Sequence, residues 1–378
     1  MMIHDDPNLR SWFSKFQVDP VRGFLPAEDP LAALPERYRA WDQLADELTP
    51  WINAGKIRKR IGQLPLIDHP EFQSTTELER AMLLLSFFAH AWVFAPPEPE
   101  NELPANISVP WTKVANQLGR PPIIAHASLV LTNWRRLAQS KPVSLGNLAT
   151  QIQFYGGVDE SNFYLITTAI EKIGAKAIPM LLGAMYNARI KNYKTAADLL
   201  YESIPILKAV HEELKKMYNF CDPYIFFTRV RPFIASFENV RYIGTTPEIR
   251  SYHGGSAAQS SLLQFFDCAL GINYENNAST NAYLKEMRKF MPPHHAAFLT
   301  EVEKTSVLRE SRDKDCMLKA AYKEVVDQLI AFRNEHLKIV SLYIVKQARL
   351  LEASSVGTGG TNPMVFLKSI RNRNEDLK

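Results

Sequence analysis

The chain has 378 residues, 46% of them hydrophobic and 22% charged, and its formal net charge at pH 7 is +4. This balance is that of an ordinary globular protein, long enough for one large domain or two smaller ones. The mild charge does not indicate nucleic-acid binding, and the one basic cluster, KIRKR at 56–60, is typical of a solvated helix face.

The sequence gives no sign of export or of a membrane span. The N-terminus, MMIHDDPNLR, carries two acids and no apolar core, so we expect no signal peptide. The longest apolar run, AMLLLSFFAHAWVFA at 81–95, is shorter than the roughly 20 residues that a spanning helix needs. Cys221, Cys268 and Cys316 lie far apart without a CxxC or CxxCH motif, which leaves zinc ribbons, thiol redox motifs and covalent heme unsupported. We expect a cytoplasmic protein that binds no membrane.

In the N-terminal half, the apolar periodicity predicts helices. Ser74 precedes Glu77 by three residues, a capping-box spacing that opens a helix predicted over 76–95. A second helix ends at Gly119, and a third is predicted over 123–139. The polar cluster GGVDESN then marks the best domain boundary. We therefore expect a small N-terminal helical domain at 1–155 and a larger C-terminal one at 156–378.

The C-terminal half also reads as helix. Asp222 as N-cap and Pro223 after it open a helix predicted over 222–237, which Pro232 should kink. A further capping pair, Ser256 and Gln259, follows two glycines. Other helices are predicted over the ranges 193–219, 279–290, 294–304 and 314–352, with a short one after Asn362. No alternating pattern predicts a sheet and no fixed period indicates a repeat, so the fold class is all-α.

The long C-terminal helix places a histidine on an apolar face. Four residues share that face at spacings of seven, four and three: Leu329, His336, Val340 and Tyr343. Three interpretations of the histidine are open. It can be a hydrogen-bonded core residue, a catalytic base, or a metal or heme ligand, because neutral imidazole binds iron.

The pattern alone does not single out this histidine, since His90 and His126 also lie in apolar helices. One extra feature is Arg333, a turn before His336, which can hold a heme propionate while the histidine holds iron. The simpler alternative is an arginine whose head group reaches water.

Two further stretches carry chemistry. PYIFFTRVRPF at 223–233 combines arginines with aromatic residues, which suits an aromatic carboxylate, although a core stripe with surface arginines is commoner. GTGGT at 357–361 is either a mobile lid or a plain linker. Motifs of nucleotide-binding proteins, zinc proteases and esterases are absent from the sequence.

Taken together and in order, several blocks resemble the indoleamine 2,3-dioxygenase family of heme enzymes. The blocks are FYLITTAIE (163–171), DPYIFFTRVRPFI (222–234), GGSAAQSSLLQFFDCALGI (254–272), MRKFMPPHHAAFL (287–299), FRNEHLKIVSLYI (332–344), GTGGT (357–361) and FLKSIR (366–371). They cover most of residues 120–371, whereas the first hundred residues match only loosely.

This resemblance implies an all-helical, two-domain fold in which heme b lies between helices of the large domain. It gives His336 the position of the proximal iron ligand, Arg333 that of a propionate partner and Asp267 that of an acid near the proximal side. The residues that match the distal side and its closing loop are Phe163, Phe226, Arg231, Gly255, Ser256, Ala257 and Thr358. Among them, Phe163 and Phe226 would pack the indole and Arg231 would hold the substrate carboxylate.

The activity implied by the resemblance is insertion of both atoms of O2 across the indole 2,3-bond of L-tryptophan or a related indoleamine. The product would be N-formylkynurenine or its analogue. The implied partner is a small indole substrate, with no nucleic acid and no membrane, and the oligomeric state stays open. Two positions at the reaction site depart from the animal enzymes: Thr167 replaces a serine and His126 replaces a tyrosine.

Alternatives to this activity stay open. The chain can be a heme protein of the same fold that acts on a modified tryptophan without 2,3-cleavage. It can also be a heme-binding gas sensor or carrier, although a carboxylate clamp has no purpose there. A helical scaffold without a cofactor is the third class.

Overall fold

The computed structural model describes residues 7–274 and 277–375. Residues 1–6, on which part of the signal-peptide expectation depends, lie outside the described residues. The described part is mainly helical, which confirms the all-α class. Its longer helices are Pro7–Phe16, Arg39–Asn53, Thr75–Phe94, Ala105–Leu118, Val158–Gly174, Ala177–Arg189, Tyr193–Lys215, Ser261–Ala269, Ala278–Met287, Pro293–Thr305, Cys316–Val340 and Pro363–Glu375. None of these helices combines the length and apolarity needed to cross a membrane.

Several predicted helix ends are confirmed by their caps. The Ser74 hydroxyl accepts a hydrogen bond from the Glu77 amide at the start of Thr75–Phe94. Asp222 accepts hydrogen bonds from the amides of Tyr224 and Ile225. Gly119 ends Ala105–Leu118 with a φ of 67°, a conformation that glycine adopts without strain. The capping pair of Ser256 and Gln259 is also present, on a 3-10 turn.

The helix predicted over 123–139 is wrong. Only Ala127–Leu131 is helical, as a π-helical turn, and the chain then forms a strand, Arg135–Arg136, antiparallel to Leu148–Ala149. Asn133 explains the departure, because its buried carboxamide binds the backbone of Ile152 through both its oxygen and its nitrogen. These tertiary hydrogen bonds outweigh the apolar periodicity that favoured a helix.

The helix predicted over 222–237 also ends early. After Pro223–Ile225 the chain forms a π-helical turn, Phe226–Val230, and then a 3-10 turn that contains Pro232. Proline lacks an amide hydrogen, so the α-helical ladder cannot continue through it. A strand follows, Phe237–Tyr242, which pairs with Ile249–Tyr252 and with Glu102–Leu103; the sequence did not predict this small sheet.

The helix predicted over 314–352 is interrupted once. Cys316–Val340 is α-helical, Ser341–Val345 forms a π-helical turn, and Lys346–Leu350 resumes the α-helix. Its side chains pack mainly against Tyr193–Lys215 and Pro363–Glu375. The helix that carries His336 is therefore packed against two other helices of the C-terminal half.

One hydrophobic core extends across the predicted domain boundary. Phe154 lies between Phe87 and Phe233, with ring centroids 4.4 and 4.6 Å away and both pairs stacked. His90 Nδ1 lies 2.7 Å from the Phe233 carbonyl oxygen, which ties the helix Thr75–Phe94 to the C-terminal half. The division at residue 155 stays a prediction.

Candidate functional site

A cavity of about 170 Å3 lies beside His336. We call it the histidine cavity. Its walls include most of the residues predicted to form the site: Phe163, Phe226, Arg231, Gly255, Ser256, Ala257, His336 and Thr358. These residues come from five separate segments, so the fold brings together side chains that are up to 195 positions apart in the sequence (358 minus 163).

The His336 imidazole is neutral at pH 7 and has no competing partner. Burial, and then the charge of Arg333, lower the pKa of His336 to about 4. In the part of the chain that the structure describes, no hydrogen bond to its ring is found, and its nearest aromatic neighbour is Phe332 at 6.5 Å between centroids. A neutral imidazole that faces a cavity offers a nitrogen lone pair to a metal.

Arg333 and Asp267 form a largely buried ion pair one helical turn before His336, and neither residue is among those that line the histidine cavity. Nη2 of Arg333 lies 2.6 and 2.7 Å from the two carboxylate oxygens, and the Tyr274 hydroxyl donates to the same carboxylate at 2.8 Å. Burial alone would lower the pKa of Arg333, but the adjacent carboxylate outweighs it and the pKa is raised. Nη1 is buried without a partner among the described residues.

Arg231 is the second cation with an unused donor. Its Nη2 donates to the Val356 carbonyl, and its guanidinium lies 5.0 Å from the Phe227 ring centroid. Its Nε is buried and has no partner within the described residues. Burial lowers the pKa of Arg231 from its usual value, although the group stays cationic at pH 7. Among the residues that the structure describes, no carboxylate forms an ion pair with Arg231, and Asp267 is paired with Arg333.

Aromatic rings form one wall of the histidine cavity. The Phe163 and Phe226 centroids are 4.7 Å apart, and Tyr343 lies 5.9 Å from Phe226. The Tyr343 hydroxyl donates to the carbonyls of Met217 and Cys221, each at 2.7 Å. These bonds fix the tyrosine ring and, through it, the aromatic wall.

The GTGGT loop is docked over the same cavity. Thr358 Oγ1 donates to the Gly255 carbonyl at 2.5 Å, and the Thr358 carbonyl accepts from the Gly254 amide and from Ser236 Oγ. Glycine is required at position 254, because a Cβ there would lie 2.3 Å from the Ile234 carbonyl oxygen. Small-molecule and cofactor pockets usually measure about 300–1,000 Å3, so a larger guest requires this covering segment to move.

His126 and Thr167 are not among the residues that line the histidine cavity. Thr167 lies one helical turn after Phe163 and donates to the Phe163 carbonyl at 3.1 Å. His126 is buried, with Nε2 2.9 Å from Glu171 Oε1, and the Ser260 hydroxyl donates to the same oxygen at 2.7 Å. Glu171 lies on the helix that also carries Phe163, and the predicted roles of His126 and Thr167 stay predictions.

Sequence reasoning missed three groups that shape the site. Tyr343 was placed on the His336 face but given no role, although its position seven residues after the histidine was a usable signal. Tyr283, whose hydroxyl donates to the Gly359 carbonyl, and Glu171 carried no signal in the sequence. Both act through long-range contacts that a single sequence does not reveal.

His90 is a structural histidine. Its Nδ1 lies 2.7 Å from the Phe233 carbonyl and its Nε2 accepts from the Ile124 amide at 3.2 Å, so the neutral ring is fully satisfied. Burial lowers the pKa of His90 to about 3.

This environment predicts a pH-dependent stability. Below pH 6.5 the unfolded chain binds a proton at His90 that the folded chain binds only near pH 3, so folding stability falls as the pH drops through this window. The free energy of unfolding, measured with urea at several pH values between 4 and 6, should rise with pH in the wild type. In His90→Gln this rise should be smaller by about 1.4 kcal/mol per pH unit. The exposed His69 serves as control, and His69→Gln should keep the wild-type slope. Equal slopes in wild type and His90→Gln would contradict the assignment.

Comparison with known proteins is consistent with this geometry. The family model described as indoleamine 2,3-dioxygenase matches residues 12–377. The chain is 31% identical to indoleamine 2,3-dioxygenase 2 of Mus musculus, over 95% of this chain and 93% of that protein. It is 32% identical to an indoleamine 2,3-dioxygenase of Aspergillus candidus, over 94% of this chain and 95% of that one. It is also 31% identical to a 6-hydroxytryptophan 2,3-dioxygenase of Fusarium equiseti, over 97% of both chains.

Proposed function

The chain belongs to the indoleamine 2,3-dioxygenase family, and on that premise we propose that it uses heme b and O2 to cleave the indole 2,3-bond of L-tryptophan or a related indoleamine. The product is then N-formylkynurenine or its analogue. The single observation that carries the proposal is the histidine cavity, whose wall contains the neutral His336 imidazole, the cation Arg231 and the rings of Phe163 and Phe226.

The residues present fit a heme group on the chemistry of their donors. His336 supplies one neutral nitrogen, which suits an iron whose other ligands belong to a macrocycle. No cluster of three or more metal-binding side chains is found within residues 7–274 and 277–375, so the donor set favours such a macrocycle over a bare ion. Arg333 Nη1 is a buried donor that would bind a propionate, and Asp267 would keep that guanidinium in place.

The bound heme supplies oxygen activation, and the chain's own residues bind and orient the substrate. Arg231 would hold the carboxylate through its free Nε, a charge-assisted bond in a partly dry site. Phe163 and Phe226 would pack the indole rings. The GTGGT loop, held to Gly255 through Thr358, would exclude water and fix the substrate in a reactive orientation.

A sensor or carrier function has less support. A gas-binding protein needs the heme ligand but not a buried arginine with an unused donor beside an aromatic wall. Cytoplasmic placement is part of the proposal, and the free thiols of Cys221, Cys268 and Cys316 support it.

Removal of the His336 side chain should release heme. We expect His336→Ala to purify with little heme and with a weak Soret band, because no other described side chain replaces the imidazole. The control His69→Ala, at an exposed position, should keep the full band. Circular dichroism establishes that both variants are folded, and added imidazole should restore the band to His336→Gly. Full heme retention by folded His336→Ala would contradict the assignment.

Arg231 should discriminate between substrates with and without a carboxylate. A charge-assisted bond of this kind contributes about 2 kcal/mol or more, so Arg231→Met should lose about 30-fold or more in kcat/KM for L-tryptophan. Activity on tryptamine, which lacks the carboxylate, should be low and should change little. Arg229 lies two residues away and is exposed, so Arg229→Met is the matched control. An equal loss on both substrates would remove Arg231 from this role.

His126 and Thr167 are proposed to tune which indole is accepted. On the helix Val158–Gly174, Phe163, Thr167 and Glu171 follow one another at spacings of four, and Glu171 binds His126. Exchanging His126 for Tyr or Thr167 for Ser alters side-chain volume, and such a change near a binding pocket typically alters selectivity by about 1–3 kcal/mol, or roughly 10- to 200-fold.

The test is the ratio of kcat/KM for L-tryptophan and 6-hydroxy-L-tryptophan. We expect the ratio in His126→Tyr and in Thr167→Ser to differ from that of the wild type. Thr167 lies one turn from Phe163 on the same helix, and His126 contacts Glu171 one turn further on. His69→Tyr is the control for an exposed histidine. Identical ratios in all variants would show that neither residue sets specificity.

A further inference from the structure

A second cavity, far larger than the histidine cavity, lies among the N-terminal segments. Its volume is about 850 Å3, against about 170 Å3 for the histidine cavity. We call it the N-terminal cavity. Its walls come from four parts of the chain, which are 13–31, 75–83, 120–132 and 292–295. It contains none of the residues that form the proposed active site.

Its walls are mainly apolar and already shaped. Phe13, Phe24, Leu83 and Leu131 are buried side chains that line it. Phe24 packs edge-on against His295 with 4.8 Å between ring centroids. A mostly apolar hollow of this size is costly to fill with water, and it matches the volume range of small-molecule sites.

The wall formed by residues 17–31 is braced rather than loose. Asp19 and Gly23 exchange two backbone hydrogen bonds, of 2.9 and 2.7 Å. Asp29 binds both Arg22, at 3.1 Å, and Arg136, at 2.8 Å. Gly23 has a φ of 64° and sits so close to Ala175 that an added Cβ would lie 2.8 Å from the Ala175 Cβ. The cavity is therefore preorganised, which lowers the entropy cost of binding a ligand.

Polar groups of the wall define what the ligand carries. Arg120 is buried and uses its two Nη atoms for Glu79, while its Nε has no partner among the described residues. This Nε is enclosed by protein atoms, so it offers the cavity no accessible donor. His294 and His295 are neutral at pH 7, because burial lowers the pKa of both. They add no positive charge to the wall.

Charge at the mouth disfavours anions. Four carboxylates line the cavity, namely Asp19, Glu28, Asp29 and Glu79, against the two arginines Arg80 and Arg120. Both arginines are paired with acids, as Arg80 binds Asp42 at 2.7 Å. Glu28 is exposed at the rim, and neither it nor Asp19 has an ion pair within the described part of the chain. A negative ligand would meet this uncompensated charge.

We propose that the N-terminal cavity is a second ligand site, which takes an uncharged, largely apolar aromatic molecule. The site is separate from the histidine cavity and does not depend on the proposed dioxygenase activity. Its apolar walls, which include the rings of Phe13 and Phe24, hold the ring system of the ligand.

The test compares two fluorescent probes of similar size, one neutral and one anionic. Prodan is a neutral naphthalene that carries a ketone, and 8-anilino-1-naphthalenesulfonate is an anion. Equilibrium dialysis of the full, heme-loaded protein should show one Prodan site per chain that excess L-tryptophan does not displace. The sulfonate should bind at least about tenfold more weakly.

Variants at the mouth locate the site. Ser14 and Ala27 are exposed lining residues, so Ser14→Trp and Ala27→Trp should obstruct entry without disturbing the core. Each should weaken Prodan binding about tenfold or more. Val21 is exposed on the same segment but does not line the cavity, and Val21→Trp should bind like the wild type.

Several outcomes would overturn the proposal. Prodan binding that does not saturate at one per chain, or that L-tryptophan displaces, would place the probe elsewhere. Unchanged binding in both Ser14→Trp and Ala27→Trp would do the same. Equal affinity for the sulfonate would contradict the predicted ligand class.

Discussion

The buried ion pair between Arg333 and Asp267 is the interaction on which the proposed active site depends. It joins the helix that carries His336 to the helix Ser261–Ala269, which follows the Gly255–Ala257 segment of the cavity wall. Removal of one partner of such a pair leaves a buried charge and typically costs about 3–5 kcal/mol. Nη1 of the same guanidinium has no partner among the described residues.

The GTGGT loop, which covers the histidine cavity, is held in place by few contacts. Arg231 donates to the Val356 carbonyl, and Thr358 and Gly359 are bound by groups of the opposite wall. These are a few exposed or half-buried hydrogen bonds with little apolar packing, so this segment belongs to the less stable part of the fold. A cavity of about 170 Å3 is smaller than its proposed contents, and the cover is the element that can move to admit them.

Much of this site could be predicted from the sequence, because the local signals and the family resemblance agreed. His336 stood on an apolar helical face, and Arg231 stood among aromatic residues, and the structure places both in the wall of one cavity. Caps at Ser74 and Asp222 followed from local hydrogen-bond chemistry, which involves only near neighbours in the chain.

The failures came from contacts between distant residues. Asn133 replaces a predicted helix by a turn through bonds to residues 151 and 152, and no local rule anticipates such partners. The strand Phe237–Tyr242 pairs with a segment more than a hundred residues earlier, and an irregularity in its pairing between Phe237 and Val240 breaks the alternation of its buried residues. His126 was expected near the indole, but its place beside Glu171 depends on how two helices pack.

The absorption spectrum of the purified ferrous protein, with and without L-tryptophan, tests the central claim most directly. The account predicts a Soret band typical of histidine-ligated heme b, which shifts when L-tryptophan is added because the substrate binds beside the cofactor. Absence of a Soret band in protein that has been supplied with heme would contradict the account. So would a Soret band that no indole substrate shifts at a saturating concentration.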